Sequence, residues 1–127
     1  MNWKREVIGI LEDHYAQRQA MVAMSLELER LSLAVPSSCS QNQRLAHLVA
    51  ERVLQQNYQR TALLVKRTEC ALDALSATER QLLEMLYILP RRGNQKMIMH
   101  LQGICKSTFY RRRDRALQKF TVALYGS

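Results

Sequence analysis

Residues that end helices stand at few points in this sequence, and their positions constrain the fold more than any other feature. The chain has four glycines and two prolines in 127 residues. The remainder is rich in Leu, Ala, Gln, Glu and Arg, which favour helices. Turn-forming residues cluster at 36–40, at 90–93 and around Gly103. The sequence therefore predicts an all-α protein with long, uninterrupted helices near its N-terminus.

The N-terminal part predicts two long helices, at residues 2–34 and 41–74. Ser40 and Gln43 have the spacing of a capping box at the start of the second helix. At 1.5 Å per residue each helix would be about 50 Å long. One apolar face of the second helix consists of Leu45, Leu48, Val49, Leu63 and Cys70. We expect residues 1–75 to fold as a helical hairpin.

The first predicted helix has apolar residues on two nearly opposite faces. One face consists of Ile8, Leu11, Tyr15, Val22, Leu26 and Leu33, and the second of Ile10, Met21, Met24, Leu28 and Leu31. A hairpin buries one face and leaves the second uncovered, and an exposed apolar stripe usually marks a protein contact. The sequence therefore predicts a homodimer through these helices. The alternative is a monomer in which the stripe packs on the C-terminal helices.

Residues 76–127 predict three shorter helices. The third helix covers 77–89 and begins with a capping box between Ser76 and Glu79, and the fourth covers 94–102. The expected buried residues are Leu82, Leu83, Leu86 and Leu89 on the third helix and Met97, Ile98 and Leu101 on the fourth.

Gly103 separates the last two predicted helices. Glycine adopts the left-handed backbone of a tight turn without steric cost, and Ile104 would fill the space between the helices. The fifth helix begins near Cys105 or Lys106 and runs towards residue 124. Its buried stripe consists of Phe109, Ala116, Leu117 and Phe120. This arrangement predicts a three-helix domain that contains a helix-turn-helix.

The positive charge of the chain is concentrated in this C-terminal domain. Residues 1–75 contain nine Lys and Arg against eight Asp and Glu, whereas residues 76–127 contain ten against three. Such asymmetry indicates a polyanion-binding half. Nucleic acid is the favoured partner, ahead of an acidic membrane surface, and a solvated basic face without a partner is the alternative.

The side of the fifth helix opposite its apolar stripe presents cations and hydrogen-bonding groups, as a recognition helix in the DNA major groove requires. Side chains near the helix start reach base edges, so base reading is assigned to Lys106, Ser107, Tyr110 and Arg111. Arg111 can bond guanine bidentately, which contributes about 1–3 kcal/mol of discrimination. Phosphate contacts are assigned to Arg91, Arg92, Lys96, Thr108, Arg112 and Arg115.

Several of these side chains also have an interpretation that needs no DNA. Arg113 can lay its stem over the core, and Tyr110 can pack at the edge of the domain. Arg115 can pair with Glu79 or Glu84.

The sequence shows no motif for catalysis, a cofactor or a metal. The cysteines and histidines are scattered, without the spacing of a disulfide framework or a zinc site: Cys39, Cys70, Cys105, His14, His47 and His100. No Gly-rich phosphate loop or nucleophile–base pair is present, so we expect neither an enzyme nor a bound cofactor. No apolar run approaches about 20 residues, and the N-terminus lacks signal-peptide features. We therefore expect a cytoplasmic protein without a membrane partner.

The C-terminal residues resemble known DNA-binding proteins. The segments 76–83 and 103–110 resemble the opening and the turn of region 4 in bacterial sigma factors, and 115–120 resembles its ending. The run Ser107-Thr108-Phe109-Tyr110-Arg111-Arg112-Arg113-Asp114-Arg115-Ala116-Leu117-Gln118-Lys119-Phe120 is similar to a pattern in phage and prophage regulators of the ArpU/RinA type. The likeness covers about 50 residues well and the N-terminal helices only in general layout.

The resemblance implies a sigma region-4-like helix-turn-helix that binds double-stranded DNA near promoters and controls phage or mobile-element genes, often as an activator. Contact with RNA polymerase is a further expectation. The other sigma regions are lacking, so autonomous promoter recognition is not expected. Two residues depart from the pattern: Gln102 stands where leucine is usual, and Cys105 stands where serine commonly caps the recognition helix.

Two alternative functions stay open at this point. Small terminase subunits of phages also join a helix-turn-helix to long oligomerising helices, but they serve DNA packaging. An adaptor that binds polymerase or a repressor would instead use the basic face to contact an acidic protein.

Overall fold

In this computed structural model, residues 2–33, 40–90 and 95–126 are described, and within them the secondary structure is helical, without strands. The helices are α1 (Trp3–Leu33), α2 (Gln41–Asp73), α3 (Ala77–Leu83), α4 (Gln95–Gln102) and α5 (Lys106–Tyr125). A π-helical turn, Glu84–Ile88, continues α3. The predicted all-α class is confirmed. The predicted breaks at 36–40 and 90–93 lie mostly outside the described residues.

Side-chain caps fix where α2 and α3 begin. Ser76 Oγ accepts a hydrogen bond from the Glu79 amide at 3.2 Å, and Glu79 Oε1 accepts one from the Ser76 amide at 3.1 Å. Ser40 and Gln43 make the same reciprocal pair at 2.9 and 3.2 Å. Both predicted capping boxes are confirmed, and each satisfies backbone donors that a helix start leaves free. No described helix combines the length and apolar character needed to cross a membrane.

The chain divides into two compact units. The first, here called the core unit, consists of residues 1–15 and 66–127, and the second, called the two-helix unit, consists of residues 16–65. The predicted boundary at residue 75 does not coincide with this division. The reason is that the first turns of α1 and the last turns of α2 pack with the C-terminal helices.

Two clusters of buried side chains hold the core unit together. The larger cluster joins α1, α2, the α3 segment and α5, and it contains Val7, Leu11, Ala71, Leu72, Leu75, Leu83, Ile88, Ala116, Leu117 and Phe120. The smaller cluster joins the α3 segment, α4 and α5 through Leu82, Ile98 and Phe109, with Ile104 packed against it. The whole predicted stripe of α5 is buried, so this helix is anchored in both clusters.

The π-helical turn changes which residues of the α3 segment are buried. Leu89 donates its amide to the Glu84 carbonyl at 2.9 Å, a bond that spans five residues instead of four. The extra residue rotates the chain, so Ile88 is buried, Leu86 is half-buried and Leu89 is exposed. The predicted burial of Leu89 is therefore wrong.

The inner face of α4 also differs from the prediction. Ile98 is fully buried, but Met97 and Leu101 are exposed. The inward residues recur at helical spacing and are Gln95, Ile98, Met99 and Gln102. Two glutamines thus occupy the inner face of a short helix, while two of its apolar residues face outward.

A polar network connects three elements of the core unit. The Arg80 guanidinium donates to Glu84 at 2.7 Å and to Glu69 at 2.9 Å, and it also contacts Asp73. The other oxygen of Glu69 lies 2.8 Å from Nε2 of His14, which is fully buried. The network therefore ties α1 and α2 to α3. The sequence alone does not predict this contact, because His14 and Glu69 lie 55 positions apart.

The two-helix unit has no such core. None of its described residues is buried. On α1 the predicted second face, which includes Met21 and Leu28, is half-buried, whereas Val22, Leu26 and Leu33 of the first face are exposed. The exposed residues of α2 include much of its predicted apolar face: Leu45, Leu48, Val49 and Leu63.

We expect the core unit to lose stability in acid through Glu69. Burial raises the pKa of this carboxyl, but hydrogen bonds from His14 and Arg80 outweigh it and hold the pKa below its usual value. Because the pKa of Glu69 is lower in the folded state, its ionised carboxylate stabilises the fold at pH values above the unfolded pKa of about 4.3. This contribution disappears as the pH falls through the folded-state pKa.

The measurement is urea unfolding of the wild type and of Glu69→Gln between pH 7 and pH 3. At pH 7 the variant should lose about 1–2 kcal/mol of unfolding free energy, and the difference should shrink in acid. Asp13→Asn, at an exposed position of α1, is the matched control and should change the pH profile little. A constant difference between wild type and Glu69→Gln at every pH would contradict the expectation.

Candidate nucleic-acid interface

The turn between α4 and α5 is built around Gly103. Its φ of 62° lies in the left-handed region, which glycine adopts without steric cost. The amides of Gly103 and Ile104 donate to the carbonyls of His100 and Met99 at 3.2 and 3.1 Å and close the end of α4. Ile104 packs on the smaller cluster, as predicted. The turn therefore fixes where α5 starts.

The apolar stripe of α5 determines which of its side chains reach solvent. Phe109, Ala116, Leu117 and Phe120 are at most 2% exposed. The cations on the remaining faces are exposed: Lys106, Arg111, Arg112, Arg115 and Lys119. Burial of one face thus presents a row of positive charge along the other faces of a 20-residue helix.

The four residues predicted to read bases lie in the first two turns of α5. Lys106, Ser107 and Arg111 are exposed. Tyr110 is half-buried, its hydroxyl donates to Gln95 Oε1 at 3.1 Å, and its ring makes an edge-to-face contact with Phe109. Tyr110 therefore joins α4 to α5, in agreement with its alternative interpretation as a packing residue.

Arg113 is held within the domain and not presented on the exposed row. Its guanidinium lies 4.9 Å from the centre of the Tyr110 ring and donates to Asp114 Oδ1 at 3.0 Å. Lys4 of α1 contacts the other oxygen of Asp114 at 3.1 Å. Burial raises the pKa of Asp114, but these two cations hold it below its usual value. This single carboxylate therefore offsets one of the two positive charges.

The residues predicted to bind phosphate fall into three groups. Lys96, in the first turn of α4, is exposed, as are Arg112 and Arg115. Thr108 is half-buried, with its hydroxyl 3.2 Å from the sulfur of Cys105. Arg91 and Arg92 lie outside the described residues.

Arg115 does not pair with the acids proposed as its alternative partners. Glu79 contacts Lys119 at 3.1 Å, and Glu84 binds Arg80. Within the described parts of the chain, Arg115 has no carboxylate partner. The sequence assigned no role to Lys119, and only its position one turn beyond Arg115 could have suggested that it belongs to the same surface.

Cys105 is the N-cap residue of α5, and the sequence-based prediction notes only that it stands where serine is common. Hydrogen bonds from the Ser107 and Thr108 hydroxyls, followed by a backbone bond from Thr108, lower the pKa of its thiol to about 6. The thiol is exposed. Hydroxyl residues two and three positions after a capping cysteine, here Ser107 and Thr108, are the sequence signal for this lowered pKa.

No group of His, Cys, Asp and Glu among the described residues could hold a metal ion. Comparison with protein-family models, curated proteins and solved structures found no match. The interpretation of this surface therefore depends on its geometry and charge.

We expect Cys105 to react with iodoacetamide mainly as a thiolate, with a rate that rises around pH 6 instead of the usual value of about 8.5. Alkylation between pH 5 and pH 9, with peptide mapping by mass spectrometry, separates Cys105 from Cys70 and Cys39. Thr108→Val removes one hydrogen bond and should shift the Cys105 midpoint upward. A Cys105 midpoint near pH 8.5 in the wild type would contradict the expectation.

Proposed function

We propose that the chain is a sequence-specific DNA-binding transcription regulator in which α4, the Gly103 turn and α5 form a helix-turn-helix. The observation that carries the proposal is the division of α5 into two sides. Four side chains are buried on one side, and five cations are exposed on the others. A recognition helix needs an anchored face and a face that offers donors to base edges and phosphates.

The proposed contacts follow from position along α5. Lys106, Ser107 and Arg111 lie near the helix start and reach base edges, and Tyr110 supports them by fixing the helix against α4. Arg112 and Arg115 on the same helix bind phosphates. Lys96, Thr108, Arg91 and Arg92 complete the predicted phosphate contacts. These contacts would supply most of the affinity and its salt dependence.

The resemblance to sigma region 4 and to the ArpU/RinA type of regulator supports a more specific role. On this proposal the chain acts at promoter-proximal sites of phage or mobile-element genes in the cytoplasm, in contact with RNA polymerase. Residues 76–127 would form the DNA-binding domain, and the long helices before them would form a hairpin that serves association.

A homodimer through the two-helix unit is part of the proposal. Eight large apolar side chains there are at least half exposed: Val22, Leu26, Leu33, Leu45, Leu48, Val49, Val53 and Leu63. Covering them would contribute about 1 kcal/mol each, which is comparable to the cost of association. On α1 they recur at intervals of seven and four residues, as helix pairing requires.

A second copy suits this surface better than a charged partner. Residues 16–65 contain five arginines and three glutamates, so two copies repel each other weakly. A groove of about 250 Å³ between the helices, lined by Met21, Val22, Leu26 and Tyr58 among others, would accept side chains of the other copy. A dimer would read two half-sites whose spacing reflects its symmetry.

Selection of bound DNA from a random pool tests the DNA-binding proposal. The wild type should enrich a defined site, and Arg111→Ala should relax one position of it, with a loss of about 10- to 100-fold for the preferred base. Arg112→Gln should instead weaken binding to all sequences and reduce the salt slope by about 1.

Arg18→Gln is the charge-matched control, because Arg18 is exposed in the two-helix unit, and its DNA affinity should stay within about twofold of the wild type. Absence of wild-type binding to any duplex at low salt would overturn the proposed function.

Sedimentation equilibrium tests the dimer. The wild type should have twice the monomer mass of 14.8 kDa, and Leu26→Asp should be monomeric with reduced helix content, because a charge cannot be buried in an apolar interface without large cost. Ala20→Asp, at an exposed position on a different face of α1, should remain dimeric. A monomeric wild type would contradict the dimer, and a closed ring of about eight copies would favour the DNA-packaging alternative.

A further inference from the structure

A cavity of about 300 Å³ opens in the core unit, between the start of α3, the end of α4 and the middle of α5. Its lining includes one apolar side chain, Leu82, and the polar side chains of Thr78, Gln102, Arg112 and Arg115. Cavities that bind small molecules begin at about this size and combine an apolar surface with a few convergent polar groups. The cavity therefore has the dimensions and the lining of a small-ligand site.

The charge of the lining is positive and only partly neutralised. Glu79 and Lys119 also line the cavity and pair with each other at 3.1 Å. Arg112 and Arg115 have no carboxylate partner within the described residues. Two guanidinium groups at one cavity provide donors that match the geometry of a phosphate or carboxylate group.

Gln102 supplies a different kind of contact. Its Oε1 is shielded from solvent and accepts no hydrogen bond from the described residues. A buried acceptor without a hydrogen bond is destabilising, and a donor inside the cavity would remove this cost. A DNA phosphodiester could contact the two arginines but has no hydrogen to donate to Gln102 Oε1.

We propose that this cavity binds a small phosphate ester that carries hydroxyl groups. Arg112 and Arg115 hold the phosphate, the hydroxyl of Thr78 donates to it, and a ligand hydroxyl donates to Gln102 Oε1. Leu82 contacts the carbon skeleton. The site does not depend on the proposed DNA binding, since the ligand needs only the core unit.

The test titrates the full-length, isotope-labelled protein with glycerol 3-phosphate at constant ionic strength, with NMR detection of the side-chain signals of Gln102 and the two arginines. We expect saturable shifts of all three. Sulfate has the charge but no hydrogen to donate, and it should bind about fivefold more weakly or worse. Glycerol, which lacks the charge, should not bind.

Three variants separate the contacts. Arg115→Gln should weaken glycerol 3-phosphate about tenfold or more, because a charge-assisted pair is lost. Gln102→Leu should abolish the preference for glycerol 3-phosphate over sulfate and leave sulfate binding unchanged. Arg18→Gln removes the same charge from a residue that is not part of the cavity lining and should bind both anions as the wild type does.

Thermal unfolding of each variant checks that its core unit remains folded. The proposal would be overturned if the NMR shifts rose linearly with the concentration of glycerol 3-phosphate, which indicates no saturable binding. Equal affinities for sulfate and glycerol 3-phosphate would also overturn it. Unchanged affinity in both Arg115→Gln and Arg112→Gln would do the same. Loss of DNA affinity in these variants, with no saturable anion binding by the wild type, would assign the arginines to the DNA backbone alone.

Discussion

Burial of one face of α5 is the constraint on which the rest of the core unit depends. Phe109 belongs to the cluster that α4 and the α3 segment complete, whereas Leu117 and Phe120 belong to the cluster that α1 and α2 complete. One helix is therefore fixed at two places by different partners and cannot rotate about its axis without opening both clusters. Because close-packed interiors tolerate little displacement, the direction of every cation on α5 follows from this packing.

Among the described residues, the acids of the C-terminal segment pair with only one cation of the exposed row, Lys119. Residues 76–127 contain three carboxylates, and each is already engaged: Glu79 with Lys119, Glu84 with Arg80, and Asp114 with Lys4 and Arg113. Two of these carboxylates connect different helices: Glu79 joins α3 to α5, and Asp114 joins α5 to α1. The positive charge that remains is a consequence of this distribution, as much as of the number of arginines.

Features set by local chemistry could be predicted from the sequence, and features set by packing could not. The capping boxes at Ser40 and Ser76 and the turn at Gly103 depend on a few neighbouring residues, and the structure has all three. The π-helical turn depends on contacts with other helices. It buries Ile88 in the core in place of Leu89. The burial of His14 depends on Glu69, 55 positions away. For Cys105, the two nearby hydroxyl residues are a local signal of the lowered pKa, but the sequence-based prediction considers only the replacement of serine.

The larger cluster of the core unit joins residues that lie far apart in the chain, which slows its formation. Leu11 and Phe120 share one cluster, yet about 110 positions separate them in the chain. At a synthesis rate of about 5–20 residues per second, roughly 5 to 20 s pass between the two. During that time the apolar residues of α1 lack the helix that covers them. The larger cluster can therefore close only after α5 has been synthesised, and its closure spans a long loop of the chain.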